Sequence, residues 1–110
     1  MVYEIMVMYK PLLPDDVRKG VHKDILALME EVGGEVEDVD VWGKRYLAYK
    51  IKGHNEGYYI VYQVDIPSDS VSEVNRKLRL KQEILRYVVT KITDKAEIGK
   101  KLKKKNFSID

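Results

Sequence analysis

The chain has 110 residues and a mass of 12.8 kDa, which is the size of one domain. Its composition, 45% hydrophobic and 35% charged residues, predicts a packed core rather than disorder. It has no cysteine and two histidines, which excludes disulfides, thiolate catalysis, zinc ribbons and iron–sulfur clusters and disfavours histidine triads or multi-histidine metal sites. The net charge of +2 is uneven, because residues 1–43 carry 4 basic and 10 acidic side chains (net −6) and residues 44–110 carry 16 and 8 (net +8), which suits the later part to a polyanion.

The first two predicted elements are a strand and a helix. Residues 2–9 alternate as a strand does, with Glu4 as the only charged residue. The prolines at 11 and 14 end that strand, and the acidic pair Asp15-Asp16 then suits the positive N-terminus of a helix. The helix carries one apolar stripe, and Gly33-Gly34 supplies its left-handed C-cap. The stripe consists of Val17, Val21, Ile25, Leu28 and Val32.

A long hairpin is predicted over residues 36–66. Its first strand has an irregularity after Val36, and Gly43 in mid-strand predicts a bulge. The turn is expected within residues 53–57, where the sequence is Gly-His-Asn-Glu-Gly, and the second strand over 58–66. Trp42 and Tyr49 are interpreted as packing residues rather than as stacking platforms.

A second helix and a fourth strand complete the predicted domain, residues 1–93. Ser70 and Glu73 have the spacing of a capping box for a helix that runs to about Leu80. Residues 84–92 are rich in β-prone residues and predict the strand. Residues 94–110 are rich in lysine and predict a basic, flexible tail.

The order strand, helix, strand, strand, helix, strand contains two split β-α-β units. Right-handed crossovers then give an α+β, ferredoxin-like βαββαβ fold, a four-stranded antiparallel sheet with two helices on one face. Strand parity assigns one set of side chains to the helix side: Ile5, Val7, Ile60, Tyr62, Val64 and Val89.

The other sheet face is left open and carries a mostly apolar set: Glu4, Met6, Met8, Tyr59, Val61, Gln63, Arg86, Val88 and Thr90. An apolar patch of this extent predicts a docking surface for a protein partner, although a mixed surface with a few harmless valines is the alternative. The predicted partner face consists of Met6, Met8, Tyr59, Val61 and Val88.

RNA-recognition domains use the same open face to stack bases on aromatic residues. Their third-strand signature, K/R-G-F/Y-G/A-F-V-x-F/Y, is matched at residues 56–63 by the glycine, the first aromatic residue and the valine. The leading base, the small residue and the final aromatic residue are missing, so stacking of that kind is disfavoured.

Several separated motifs make the chain resemble the bacterial small-subunit ribosomal protein S6 family. They are the opening Tyr3-Glu4-Ile5, the run WGKRYLAYKI at 42–51, the strand from Gly57-Tyr58 to Pro67, and the pair Leu78-Arg79-Leu80 and Ile84-Leu85-Arg86. The resemblance covers about residues 2–92. Lys50 stands where this family usually has proline, so the path of the hairpin is left open.

The resemblance implies a structural, non-catalytic protein of the small ribosomal subunit in the cytoplasm, without cofactor, metal or small-molecule substrate. It implies binding to the central domain of small-subunit ribosomal RNA, mainly as a heterodimer with small-subunit ribosomal protein S18. The residues expected to contact RNA phosphates are Lys44, Arg45, Arg79 and Arg86.

Two other functions are compatible with a ferredoxin-like fold. An acylphosphatase-like hydrolase would need an anion-binding loop with arginine and asparagine, whereas the 11–16 loop offers two acids. A ligand-sensing regulatory module that homo-oligomerises through its open sheet face is the alternative. No apolar run approaches the ~20 residues of a membrane span, and the N-terminus lacks signal and transit features, so no membrane partner is expected.

Overall fold

A computed structural model describes residues 1–92, and the order of their elements is the predicted one. The strands are β1 (Val2–Tyr9), β2 (Glu35–Ile51), β3 (His54–Asp65) and β4 (Ile84–Ile92). The helices are α1 (Asp15–Glu31) and α2 (Val71–Arg79), and a single 3-10 turn, Ser68–Ser70, leads into α2. The predicted tail, 94–110, lies outside the described residues.

The four strands form one antiparallel sheet in the order β2-β3-β1-β4, which confirms the ferredoxin-like arrangement. The core lies between the sheet and the two helices, because α1 and α2 pack their apolar residues against the same face. The assignment of side chains to the helix side is confirmed. Five of the six predicted residues are at most 4% exposed, and the sixth, Val89, is partly buried and packs against the core.

The junction after α1 explains why Gly33-Gly34 stands there. Gly33 has φ +84°, its N–H donates to the Glu30 carbonyl at 3.0 Å, and the Gly34 N–H donates to the Met29 carbonyl at 2.9 Å. This pair of bonds is a Schellman motif, so the predicted C-cap is confirmed. A Cβ on Gly34 would lie 2.5 Å from the Asp65 carbonyl oxygen, which leaves no room for a side chain.

The predicted capping box at the start of α2 is wrong. Ser70 already has helical backbone angles, φ −87° and ψ −10°, because the 3-10 turn starts the helical path earlier. Its hydroxyl donates to the Val32 carbonyl at 3.4 Å instead of capping α2. Ser70 therefore links the start of α2 to Val32, the residue that follows α1.

The hairpin turns earlier than predicted. Lys52 and Gly53 have φ +49° and +82°, the two left-handed residues of a type I′ turn, so β3 begins at His54. The predicted turn at 53–57 is therefore wrong beyond its first residue. The irregularity after Val36 and the bulge at Gly43 are confirmed as register shifts.

The far end of the hairpin extends beyond the sheet. β1 pairs with β3 only as far as Tyr9 opposite Tyr58. Residues 54–57 of β3, together with the part of β2 that pairs with them, therefore extend past the end of β1. A third register shift places residues 47–50 opposite the single residue Asn55. Within residues 1–92, no helix has the length and hydropathy of a membrane span.

Candidate partner and nucleic-acid interface

The antiparallel register arranges the open sheet face in rows. Met6 on β1 stands opposite Val61 on β3 and Val88 on β4, which forms one apolar row across three strands. In the next row Met8 stands between Tyr59 and Arg86. The structure therefore brings all five residues of the predicted partner face onto adjacent positions.

The expectation that all five are exposed is wrong for two of them. Met8 is 7% and Val61 is 1% exposed, whereas Val88 is 41% exposed and Met6 and Tyr59 are half-buried. Met8 and Val61 lie on the two central strands, β1 and β3, each of which has a paired strand on both sides. Val88 lies on the edge strand β4 and is exposed, so it is the apolar residue of this face that is most accessible to a partner.

A groove of about 380 Å³ lies between this face and the far half of β2. The sheet contributes Met6, Met8, Tyr59 and Val88, and the hairpin contributes Tyr46, Leu47, Ala48, Tyr49 and Ile51. Arg86 also lines the groove. The hairpin thus borders the face and gives it depth, which the regular alternation of the sequence does not predict.

The aromatic residues beside the groove divide into packed and exposed groups. Trp42 stacks on Tyr59 with ring centroids 6.0 Å apart, and its Nε1 donates to the Asp40 carboxylate at 2.9 Å, which confirms its packing role. Tyr49 is 66% exposed, so the prediction that it packs is wrong. Tyr46, which the sequence analysis did not single out, is 86% exposed.

The four predicted RNA-contacting cations fall into two separate groups. Arg79, at the end of α2, and Arg86, on β4, border the same hollow of about 230 Å³. Lys44 and Arg45 lie on the outer strand β2, opposite Tyr58 and Gly57. The sequence predicts the helix or strand on which each of these residues lies, but only the tertiary structure determines which of them lie close together.

The pair on β2 is partly engaged within the protein. Lys44 Nζ lies 3.9 Å from Glu56 Oε2 across the hairpin. Arg45 donates from Nη1 to the Lys44 carbonyl at 2.7 Å, and its buried Nε has no hydrogen-bond partner among the described residues. The hairpin carboxylate therefore reduces the free positive charge of this pair.

The hollow also contains a cation that the sequence analysis missed. Lys52 borders it together with Arg79 and Arg86. The only signal in the sequence is a lysine directly before a glycine in a turn region, which does not indicate a distant neighbour. Arg86 acts on the open face as well: burial raises the pKa of Tyr59, and the Arg86 charge opposes that rise.

Among residues 1–92, no three His, Asp or Glu side chains come together in a way that could hold a metal ion. The surface features that stand out are the apolar groove, the hollow with its three cations, and Arg86, which lines both.

Comparison with known proteins identifies what the chain is similar to. A family model described as Ribosomal protein S6 matches residues 2–91. Over 88 residues the chain is 42% identical to small ribosomal subunit protein bS6 of Dictyoglomus turgidum, covering 80% of this chain and 91% of the relative. Over 93 residues it is 43% identical to bS6 of Mycobacterium tuberculosis, covering 84% and 96%. The crystal structure of 30S ribosomal protein S6 from Thermotoga maritima matches with a TM-score of 0.78 and 28% identity over 94% of both chains.

Proposed function

The chain belongs to the ribosomal protein S6 family, and on that premise we propose that it binds the central domain of small-subunit ribosomal RNA as a heterodimer with ribosomal protein S18. Membership of this family makes it a structural component of the small ribosomal subunit in the cytoplasm and not an enzyme. The observation that carries the proposal is the shared position of Arg86, which lines both the apolar groove and the basic hollow.

The groove supports the protein half of the proposal. Its lining is mostly apolar and includes two methionines, whose flexible side chains adapt to a partner surface. Val88, at 41% exposure on an edge strand, leaves apolar area in water that a docked protein would cover. A partner of this kind is S18, and its contact residues on this chain are Met6, Tyr59 and Val88, with Met8 and Val61 supporting them from below.

The cations support the RNA half. Arg79 and Arg86 make no ion pair with any residue between 1 and 92, so their charge is available for phosphates. Lys44 and Arg45 on β2 form a second, separate group of cations, and Glu56 partly offsets its charge. Phosphate contacts position a protein without reading base sequence, so RNA shape and S18 supply the specificity.

The test measures two affinities of the full chain. Val88→Glu places a charge in the apolar row and should weaken S18 binding by about tenfold or more, a loss typical of a central interface residue. Ala27→Glu, an exposed change on α1 away from the open face, is the matched control and should leave S18 affinity unchanged. With about four phosphates neutralised, the slope of log affinity for central-domain RNA against log salt should be roughly −3 to −4.

Three results would contradict the proposal. Equal S18 affinity for the two glutamate variants would show that the open face is not the docking surface. Salt-independent affinity for the RNA would remove the phosphate contacts. A stable homodimer of the free protein that ignores both S18 and ribosomal RNA would favour the regulatory-module alternative.

A further inference from the structure

Three cations from three different elements of the chain border one hollow. Lys52 comes from the hairpin turn, Arg79 from the end of α2 and Arg86 from β4, and the hollow has a volume of about 230 Å³. Much of its remaining lining is apolar: Leu78, Ile84 and Leu85. None of the three cations forms an ion pair with another residue in the 1–92 range. The fold therefore concentrates positive charge that its own carboxylates do not neutralise.

The three side chains are exposed, but the backbone that carries each of them is anchored or constrained. Leu78 and Leu85, at 1% and 4% exposure, anchor the backbone next to Arg79 and Arg86. Lys52 has φ +49° as the first residue of the type I′ turn, a position that asparagine, aspartate or glycine occupies at lower conformational cost. A lysine in this place gives up local stability, and the charge that it brings to the hollow offers a reason.

We propose that Lys52, Arg79 and Arg86 form a single phosphate-binding site, and that it holds a phosphodiester group of the RNA backbone. Three like charges beside one hollow repel each other, and an anion placed among them relieves that repulsion. Two guanidinium groups offer planar pairs of donors to phosphate oxygens, and the lysine ammonium adds a point charge. This inference rests on the proposed function and adds Lys52 to it.

The position of Arg86 gives the site a further property. Because Arg86 also lines the apolar groove, a protein docked in the groove lies directly beside the bound phosphate. Such a partner excludes water from one side of the hollow, which strengthens the attraction between the cations and the anion. The site should therefore contribute more to RNA affinity when S18 is bound than when it is absent.

The decisive variant is Lys52→Asn. It removes one charge and keeps the turn, because Asn-Gly is a favoured pair for a type I′ turn. With S18 present, affinity for a central-domain RNA fragment should fall severalfold, and the slope of log affinity against log salt should become shallower by about 0.7–0.9, the effect of one phosphate contact. The control is Lys19→Gln, an exposed change on α1, which should alter neither quantity.

The outcomes separate this inference from the proposed function. If the wild-type chain binds the RNA with S18 and Lys52→Asn binds it with the same affinity and salt slope, the three-cation site is wrong and the proposed function stands. If the wild-type chain itself fails to bind, both are wrong. A parallel NMR titration with inorganic phosphate tests whether the site binds a free anion instead of the RNA backbone. If Lys52→Asn loses phosphate binding but keeps its RNA affinity, the assignment of the site to RNA is wrong.

Discussion

The hydroxyl oxygen of Tyr62, on β3, lies 2.7 Å from Nδ1 of His22 on α1. The same hydroxyl lies 2.7 Å from the hydroxyl of Tyr9 on β1, so three polar groups form a chain between the helix and the two central strands. Tyr9 and Tyr62 are fully buried, and burial raises the pKa of Tyr9 to about 12 and that of Tyr62 still further. Both tyrosines therefore remain neutral donors and acceptors at physiological pH.

Removing the central hydroxyl of this chain should destabilise the protein. Tyr62→Phe leaves Tyr9 without its buried partner and His22 without its ring hydrogen bond, at a cost of about 1–3 kcal/mol in the free energy of unfolding. Tyr49→Phe is the control, because Tyr49 is 66% exposed and its change should stay within about 0.5 kcal/mol. Urea unfolding measures both, and equal stabilities would show that the polar chain contributes nothing.

His22 should make stability depend on pH. Burial lowers the pKa of His22, because the charged imidazolium loses solvation between α1 and the sheet. The pKa of His22 in the folded state therefore lies below the ordinary value near 6.5. The stability that neutral His22 contributes is fully present above pH 6.5 and is lost as the pH falls from there through the lowered pKa. Arg18, one helical turn earlier, adds positive charge on the same element.

The measurement compares urea unfolding of the wild type and His22→Gln between pH 8 and pH 5. The wild type should lose more stability than the variant as the pH falls through 6.5, while carboxylate titrations affect both chains alike. Parallel pH profiles of the two proteins would contradict a role for His22.

The two glycines at 20 and 34 should respond oppositely to alanine. Gly34→Ala places a Cβ against the Asp65 carbonyl oxygen at 2.5 Å and against the Ile66 side chain, and should cost about 1–3 kcal/mol. Gly20, within α1, has no atom within 4 Å of a built Cβ, so Gly20→Ala should stabilise by about 0.5–1 kcal/mol. Thermal unfolding of the two variants checks the prediction, and a shift of both in one direction would refute it.

Met8 should behave as a core residue although it lies on the open face. At 7% exposure, with its side chain against Gly57, Met8→Ala should cost about 2–4 kcal/mol in the free energy of unfolding. Leu80→Ala, at 67% exposure, is the control and should change stability by less than about 0.5 kcal/mol. A Met8→Ala protein as stable as the control would show that the residue is accessible after all.

Local patterns in the sequence were enough to predict the elements and their inner faces. Strands β1 and β4 begin and end where alternation and β-branched residues predict, and the bulge at Gly43 follows from a glycine in mid-strand. The reason is that side-chain periodicity reflects burial on one side, which is a property of each element by itself. The family motifs were equally local, and the comparisons confirm the family that they indicate.

Relations between distant elements depended on the tertiary structure. Parity placed Met8 and Val61 on the open face correctly, but their burial depends on neighbouring strands and on the hairpin that extends past β1. The turn at Lys52-Gly53 instead of 53–57 brings Lys52 to Arg79 and Arg86, which are at least 27 residues away in the sequence. Periodicity within one segment carries no information about such encounters, because they depend on strand register and on the reach of the hairpin across the sheet.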